Sequence, residues 1–417
     1  MKEKLTRFEW YWILYDVGNS GFSLMLAAIL PLYFNHLAQQ AQLTSAQYLA
    51  YWGYATSLIT LIVGIIGPIF GSIADFKDMK KKLFVFFLLL GVLGCYALAL
   101  TSQWLWLLIV YLIAKVGYSA SLVFYDAMLT DITTKERYDR VSSLGYAYGY
   151  IGSVIPFVLS IALILFKDSL HLSLSQAMIA AFIITASWWL ISSIPLLKSY
   201  QQKYYIPRQA QIIQTTFQRL KQTLIKIYHQ KQIFYYLIAY CLYIDGVNTV
   251  IGMATAYGKA LGLDNNDLLL ALLVTQFVAF PATVVFAYIS KRFVTENVIR
   301  VCILAYIGIT LFALTLVYAV QFWILAILVG LFQGGIQGLS RSYFAKMIPA
   351  NQSGEYFGIL DVCGKGAAFI GTFLVSGITQ LTGQEKMGLS VLILIFIGGL
   401  IFFNQSLKYR PAIEKSR

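Results

Sequence analysis

The feature that most constrains this chain is a succession of apolar stretches, each long enough to form a membrane-spanning helix. A helix of about 20 residues crosses the hydrocarbon core of a bilayer, whereas an outer-membrane strand needs about 10 residues of alternating polarity. Hydrophobic residues make up 59% of the chain and charged residues 12%, whereas about 25% of a soluble domain is charged. The sequence therefore predicts an all-α membrane protein with about twelve transmembrane helices.

The same polar pattern interrupts two of these stretches. Asp16 is followed three residues later by Asn19, and Asp245 by Asn248 with the same spacing. A second set of residues repeats at one constant offset: Glu136, Gly145, Ile151 and Gly152 match Glu355, Gly364, Ile370 and Gly371. Duplicated halves with matched polar interruptions are typical of secondary transporters, whose site lies between the halves near the membrane midplane. We therefore expect two pseudo-symmetric six-helix lobes.

The longest polar segment, residues 198–231, divides the chain into these lobes. Residues 1–197 form the N-terminal lobe, and residues 232–417 form the C-terminal lobe and a short basic tail. Within 198–231, apolar residues recur with helical spacing among basic ones, which predicts a basic amphipathic linker helix on the cytoplasmic surface.

The net charge of +13 is explained by topology rather than by nucleic-acid binding. Threading the spans from the N-terminus places most of the basic residues on one face: Lys2, Lys4, Arg7, the cluster 77–82, Lys135, Arg137, Arg140, the bases of 198–231, Lys291, Arg292 and those of the tail 408–417. The other face receives Lys167, Lys259 and Lys386. Cytoplasmic loops are rich in Lys and Arg, so we expect both termini in the cytoplasm.

The residues that usually carry enzyme or metal chemistry are dispersed. The four cysteines lie inside apolar stretches without the spacing of a metal site, and the three histidines are scattered over loops. Because no convergent constellation is visible, we expect no enzyme, no metal and no cofactor.

Polar and ionisable residues inside the apolar stretches are the candidate site, because such residues are expensive in a membrane and are usually functional. Lys115 is either a member of a structural ion pair or a pathway residue. Asp361 and Lys365 are four residues apart in the order that favours an intrahelical pair. The predicted substrate or proton pathway comprises Asp16, Asn19, Lys115, Tyr146, Asp245, Asn248, Gln333, Gln337, Asp361 and Lys365.

Two chemical roles follow for these residues. A zwitterionic amino acid needs one anionic and one cationic partner, which Asp245 with Lys115 or Lys365 would supply. Proton coupling needs a carboxylate whose pKa is raised by desolvation, and Asp16 and Asp245 are the candidates. The alternative for each charge is that it pairs with another and locks the bundle.

A second predicted group controls access to one face. Gly67 and Gly71 allow close helix approach, and Asp75 then precedes a basic turn at the membrane surface. The mixed-charge loop 131–140 is a further solvated network or gate. The predicted gating residues are Asp75, Lys80, Lys81, Arg140 and Arg341.

The chain resembles the vacuole-effluxer branch of the major facilitator superfamily, which includes the fungal autophagy-related vacuolar amino-acid exporters. The strings that carry this resemblance, beside the Asp75 loop, are Trp12-Ile-Leu-Tyr15-Asp16-Val-Gly18-Asn19-Ser20, Arg140-Val-Ser-Ser-Leu-Gly145, Tyr243-Ile-Asp245-Gly246-Val-Asn248-Thr249, Gln333-Gly-Gly-Ile-Gln337-Gly-Leu-Ser340-Arg341-Ser342 and Gly354-Glu355-Tyr356-Phe357-Gly358. In the Asp75 loop, Asp78 and Met79 stand where the superfamily usually has Gly and Arg.

The resemblance implies the major facilitator fold, alternating access and amino-acid export as the nearest known activity. The short termini and the absence of a long lumenal insert are more similar to a bacterial member, so we expect a multi-pass protein of the bacterial plasma membrane.

We therefore expect a monomeric secondary transporter that exports an amino acid or related metabolite, with protons as the candidate coupling ion. The alternatives are an exporter of drugs or other hydrophobic solutes and, more remotely, a non-transporting membrane sensor. The expected partners are a small-molecule substrate and the lipid bilayer, and not nucleic acid.

Overall fold

The computed structural model describes residues 4–207, 212–260 and 263–410, and Lys2 and the tail 411–417 lie outside these ranges. The described chain is helical except for a single bridge between Phe76 and Ile206. The N-terminal lobe contains α1 (Arg7–Gln40), α2 (Ser45–Ala74), α3 (Met79–Leu98), α4 (Trp104–Ala127), the single turn α5 (Leu129–Ile132), α6 (Tyr138–Leu165) and α7 (Leu174–Ser199).

A surface helix, α8 (Ile212–His229), connects this lobe to the next. The C-terminal lobe contains α9 (Lys231–Ala260), α10 (Asn265–Ile289), α11 (Thr295–Leu314), α12 (Ala319–Met347), α13 (Ser353–Thr382) and α14 (Glu385–Lys408).

Each lobe therefore has six long helices, as the sequence predicts. Eleven of them are long and apolar enough to cross a membrane, and α13, with 30 residues, is the remaining long helix. Large apolar side chains such as Leu93, Ile191 and Leu394 are more than half exposed on the bundle surface. Exposed apolar surface of this kind suits contact with lipid tails rather than water.

The start of α1 and the end of α14 lie at the same face of the bundle, which we call the terminal face. α1 begins there and α14 ends there, because twelve spans return the chain to its starting side. The lobes pack on each other through α2 against α13 and through α6 against α10 and α12.

Each lobe contains a similar contact between a glycine and a buried aspartate, although the sequence repeat aligns Gly145 with Gly364 and Gly371 with Gly152. Gly145 of α6 lies against the carboxylate of Asp16 in α1, and Gly371 of α13 lies against the carboxylate of Asp245 in α9. A Cβ at Gly371 would lie 2.6 Å from both carboxylate oxygens of Asp245. In both lobes a glycine thus lets a buried aspartate fit between two packed helices.

The helix α8 packs against α2 and α9 at the terminal face. Thr216, Leu220, Thr223 and Ile227 form its buried side, whereas Phe217 is exposed. Leu224, a further apolar residue of the predicted stripe, is exposed as well, so only part of that stripe is buried against the lobes.

Candidate functional site

A buried arginine joins the two lobes near the terminal face. Arg341, in α12 of the C-terminal lobe, is 4% exposed and points into a pocket made by the N-terminal lobe. One guanidinium nitrogen lies 2.9 Å from the Asp126 carboxylate, and another lies 3.6 Å from that of Asp16. The guanidinium also donates hydrogen bonds to the hydroxyl and the carbonyl oxygen of Ser142.

Aromatic rings surround the same guanidinium. Its carbon lies 4.4 Å from the ring centre of Tyr146, 4.6 Å from that of Trp12 and 5.4 Å from that of Tyr125. Trp12 and Tyr125 stack on each other with their centres 4.3 Å apart. The residues of this pocket, which we call the arginine cage, are Trp12, Asp16, Tyr125, Asp126, Ser142 and Tyr146.

A second cross-lobe contact involves Asp75, one residue beyond the end of α2. Its two carboxylate oxygens accept hydrogen bonds from the backbone N–H groups of Gly354 and Glu355, at 2.8 and 3.0 Å. These groups begin α13, and the start of a helix favours an anion. Burial raises the pKa of Asp75 to about 7, while nearby Lys80 and Arg219 and the two backbone N–H groups oppose that rise.

The surface helix α8 contributes to the same contact. Arg219 lies 2.8 Å from a carboxylate oxygen of Glu355 and 3.6 Å from one of Asp75, and so bridges an acid of each lobe. Its guanidinium also lies over the ring of Phe76, 5.1 Å from the centre.

Two further polar contacts close the terminal face. The fully buried Lys80 donates hydrogen bonds to Asp131 in its own lobe and to Ser353 in the other, both at 2.9 Å. Asp139 of α6 accepts hydrogen bonds from the hydroxyls of Thr295 and Ser342, and it pairs with Lys346. We call the cross-lobe contacts of Arg341, Asp75, Lys80 and Asp139 the terminal-face gate.

Nearer the middle of the bundle, α4 and α13 bring three charges together. Asp361 pairs with Lys365 in α13, and the Lys365 ammonium donates a hydrogen bond to the carbonyl oxygen of Ser119 in α4, at 3.2 Å. Lys115 is within electrostatic reach of both charges. Its ammonium lies 4.9 Å from the ring centre of Tyr118 and makes no hydrogen bond or ion pair with the described residues.

Asp245 lies apart from these lysines. One of its oxygens accepts hydrogen bonds from the Gly371 backbone N–H at 3.2 Å and from the Thr249 hydroxyl at 3.4 Å. Its carboxylate is buried against α13 of its own lobe. Asp245 forms no ion pair with Lys115 or Lys365 in the described structure, and their joint binding of the two ends of an amino acid stays a prediction.

The remaining predicted pathway residues are divided between the lobes. Asn19 donates a long hydrogen bond of 3.5 Å to Asp16. Gln337 accepts a hydrogen bond from Tyr150 across the lobe interface at 2.8 Å, and Gln333 contacts Gln276 at 3.5 Å. Asn248 is half-buried in α9.

Among the predicted gating residues, Asp75, Lys80 and Arg341 lie at the lobe interface. Lys81 and Arg140 are half-buried at the terminal face. Sequence reasoning placed Asp139 in the solvated network or gate of loop 131–140, but it assigned no individual site role to four other acids of the gate region: Glu9, Asp126, Asp131 and Glu355. The sequence signal for this region was the mixed-charge loop 131–140. It did not indicate that Arg137 pairs with Glu9 at 2.6 Å, because the two residues are far apart in the chain.

Comparisons with known proteins agree with this architecture. The family described as "Vacuole effluxer Atg22 like" matches residues 6–138 and 130–410. An uncharacterised MFS-type transporter of Bacillus subtilis, YxiO, is 40% identical over 406 residues, which cover 96% of this chain and 95% of that protein. The chain belongs to the Atg22-like vacuole effluxer family.

More distant relatives and solved structures extend the comparison. Autophagy-related protein 22-1 of Penicillium rubens is 29% identical over 306 residues, which cover 67% of this chain and 50% of that protein. The effluxer-family chain thus aligns with about half the length of this fungal relative.

Among solved structures, the major facilitator transporter FucP in the outward conformation superposes with a TM-score of 0.70 and 14% identity, over 96% of this chain and 97% of FucP. The human organic anion transporter MFSD10 superposes with a TM-score of 0.69 and 13% identity, over 95% of this chain and 98% of that chain. These likenesses show that this effluxer-family member has the major facilitator fold, and the family makes it a multi-pass membrane transporter.

Proposed function

We propose that this transporter exports an amino acid or a related small zwitterion by alternating access, with the terminal face in the bacterial cytoplasm. The observation that supports this most is the terminal-face gate, in which each lobe supplies polar groups that the other lobe satisfies. Such contacts close one face, and they can separate as a set when the lobes rock about a central site.

The mid-depth charges support a polar substrate. The Lys115 ammonium has no ion-pair partner among the described residues, although burying an unpaired charge is costly. A substrate carboxylate would supply the missing anion beside the Asp361–Lys365 pair. Asp245, which has no basic partner in the described part of the chain, is the proposed proton-binding carboxylate.

Uptake of labelled amino acids into proteoliposomes, with and without an imposed pH gradient, tests this function. Asp245→Asn should abolish the effect of the gradient, and Lys115→Gln should weaken transport of every carboxylate-bearing substrate. Lys167→Gln is the matched control, because Lys167 pairs with Asp168 at the protein surface and should be neutral.

The outcomes separate the possible substrates. Gradient-driven transport that is lost in Asp245→Asn supports the proposal. If no amino acid moves while a hydrophobic dye is exported, the protein is a hydrophobic-solute exporter and the proposal fails. Transport that is unaffected in Lys115→Gln would remove that lysine from the pathway.

A further inference from the structure

The arginine cage belongs to one lobe, and the arginine that fills it belongs to the other. Every group that surrounds the guanidinium belongs to α1, α4 or α6 of the N-terminal lobe, whereas the cation itself arrives on α12 of the C-terminal lobe. The cage is therefore a cation-binding pocket of one lobe that is occupied by a side chain of the other.

Opening of the terminal face would empty this pocket. Alternating access requires α12 to move away from α6, and Arg341 would leave with it. Asp16 and Asp126 would then remain as two neighbouring carboxylates without a cation. One oxygen of Asp16 is already buried without a hydrogen-bond partner. An uncompensated buried charge is strongly destabilising, so the open state needs another positive charge at this place.

We propose that the vacated arginine cage binds the cationic group of the transported solute, a guanidinium or a primary alkylammonium, which takes the place of Arg341. This inference rests on the proposed transport function and narrows its substrate class to cationic amino acids and amines. The substrate cation and Arg341 then cannot occupy the cage together. Release of the substrate therefore permits Arg341 to return and the gate to close.

The lining of the pocket favours an organic cation over the other positive charges available. Three aromatic faces within 5.4 Å of the guanidinium carbon stabilise a delocalised or alkylated cation. A proton would neutralise a carboxylate but gains nothing from these rings. Hard metal ions need six or more oxygen ligands, more than two carboxylates and one serine provide.

A glycine allows the walls of the cage to lie close to the guanidinium. A Cβ at Gly145 would lie 2.9 Å from both the Asp16 carboxylate and the Trp12 ring, and 3.2 Å from an Arg341 nitrogen. The absence of a side chain at this position therefore lets the carboxylate, the ring and the cation pack together. Asp126, whose side chain is 28% exposed, is the less buried of the two acids.

Binding of labelled agmatine to purified full-length protein tests the pocket directly. Agmatine is an alkylguanidinium without a carboxylate, so it probes the cage independently of Lys115. Arg341→Ala should bind agmatine about tenfold more tightly than the unmodified protein, because the cage is then unoccupied in every conformation. Adding Asp126→Asn to Arg341→Ala should remove this gain.

The matched control is Lys346→Ala. Lys346 is also a cation of α12 that pairs with an acid of α6, but no aromatic cage surrounds it in the described structure. This variant removes one cross-lobe contact of the gate without vacating the arginine cage, and it should not gain agmatine binding. Arg341→Gln, which keeps the bulk of the side chain, provides a second test if the alanine variant does not remain monodisperse.

Several results would overturn the inference. Equal agmatine binding by Arg341→Ala and Lys346→Ala would show that the cage is not specific. If Arg341→Ala binds no agmatine and becomes more stable at lowered pH, protonation of a cage acid replaces the missing cation and the inference fails.

Counterflow with the unmodified protein separates this inference from the proposed function. If leucine is transported while arginine and agmatine neither bind nor compete, the function stands and the cage proposal fails. If agmatine binds Arg341→Ala as expected but no amino acid moves, the cage proposal stands and amino-acid export fails.

Discussion

At the scale of single residues, adjacent lysines of one turn differ completely in their surroundings. Lys80 is fully buried between Asp131 and Ser353, whereas its neighbour Lys81 is half-buried and makes no ion pair with the described residues. The sequence placed both in the gating group, because a basic turn does not show which ammonium points inward. Helix periodicity rotates consecutive side chains by about 100°, so only one of the two can face the lobe interface.

Lys80→Met should therefore destabilise the protein strongly, while Lys81→Met should not. Removing one partner of a buried ion pair costs about 3 kcal/mol, and a surface change costs less than about 0.5 kcal/mol. Thermal unfolding of the two purified variants measures the difference. Equal stability would contradict the buried pairing of Lys80 with Asp131.

At the scale of helices, the gate depends on how closely α2 and α13 approach. Gly67 and Gly71 of α2 lie against the backbone of Gly358 and Gly354 in α13, and neither crossing has space for a Cβ. This contact brings the start of α13 to the Asp75 carboxylate at the end of α2. Small residues four apart are the usual means of such close packing in membranes.

Gly71→Ala should weaken the closed state of the terminal face. Its Cβ would overlap the Gly354 carbonyl. Overpacking of this kind costs about 1 to 3 kcal/mol, which corresponds to a shift of about 5- to 150-fold toward the open state. Gly64→Ala in the same helix is the control, because a Cβ there meets nothing within 4 Å. Access of a protease or thiol reagent to the terminal face should rise in Gly71→Ala and not in Gly64→Ala. Equal access in the two variants would contradict the close crossing of α2 and α13.

At the scale of the whole molecule, the structure is a bundle whose lobes are joined by polar groups at one face. The cross-lobe contacts lie near the ends of α2, α4 and α12 and near the starts of α6 and α13, which all reach the terminal face. Under the proposed alternating access, this arrangement is one end state of the cycle. Ser143, fully buried against Gly338 of the other lobe, reports on that state.

In a background in which the four native cysteines are replaced, Ser143→Cys should react slowly with a membrane-permeant thiol reagent. Addition of a transported solute should raise the rate, because the lobes then separate at the terminal face. Leu165→Cys, at the 57% exposed end of α6 on the opposite face, should react at the same rate with or without solute. A solute-independent rate at Ser143→Cys would argue against rocking about this interface.

The sequence by itself determined the fold class, the number of long helices and the duplication. These properties follow from local patterns, namely apolar length, polar interruptions and repeat spacing, which need no knowledge of neighbouring helices. It also selected Asp75, Lys80 and Arg341 as gating residues, because they lie toward the ends of apolar stretches rather than at their centres.

Only the tertiary structure decided which groups these charges meet. Arg341 and Asp126 are 215 residues apart in the chain, and nothing local to either predicts their contact. The aromatic cage, the separation of Asp245 from the lysines and the bridge made by Arg219 likewise depend on how helices from two lobes rotate and cross. Pairing across such distances is set by the packing of the whole bundle, because each helix has several polar positions and the fold selects which of them face one another.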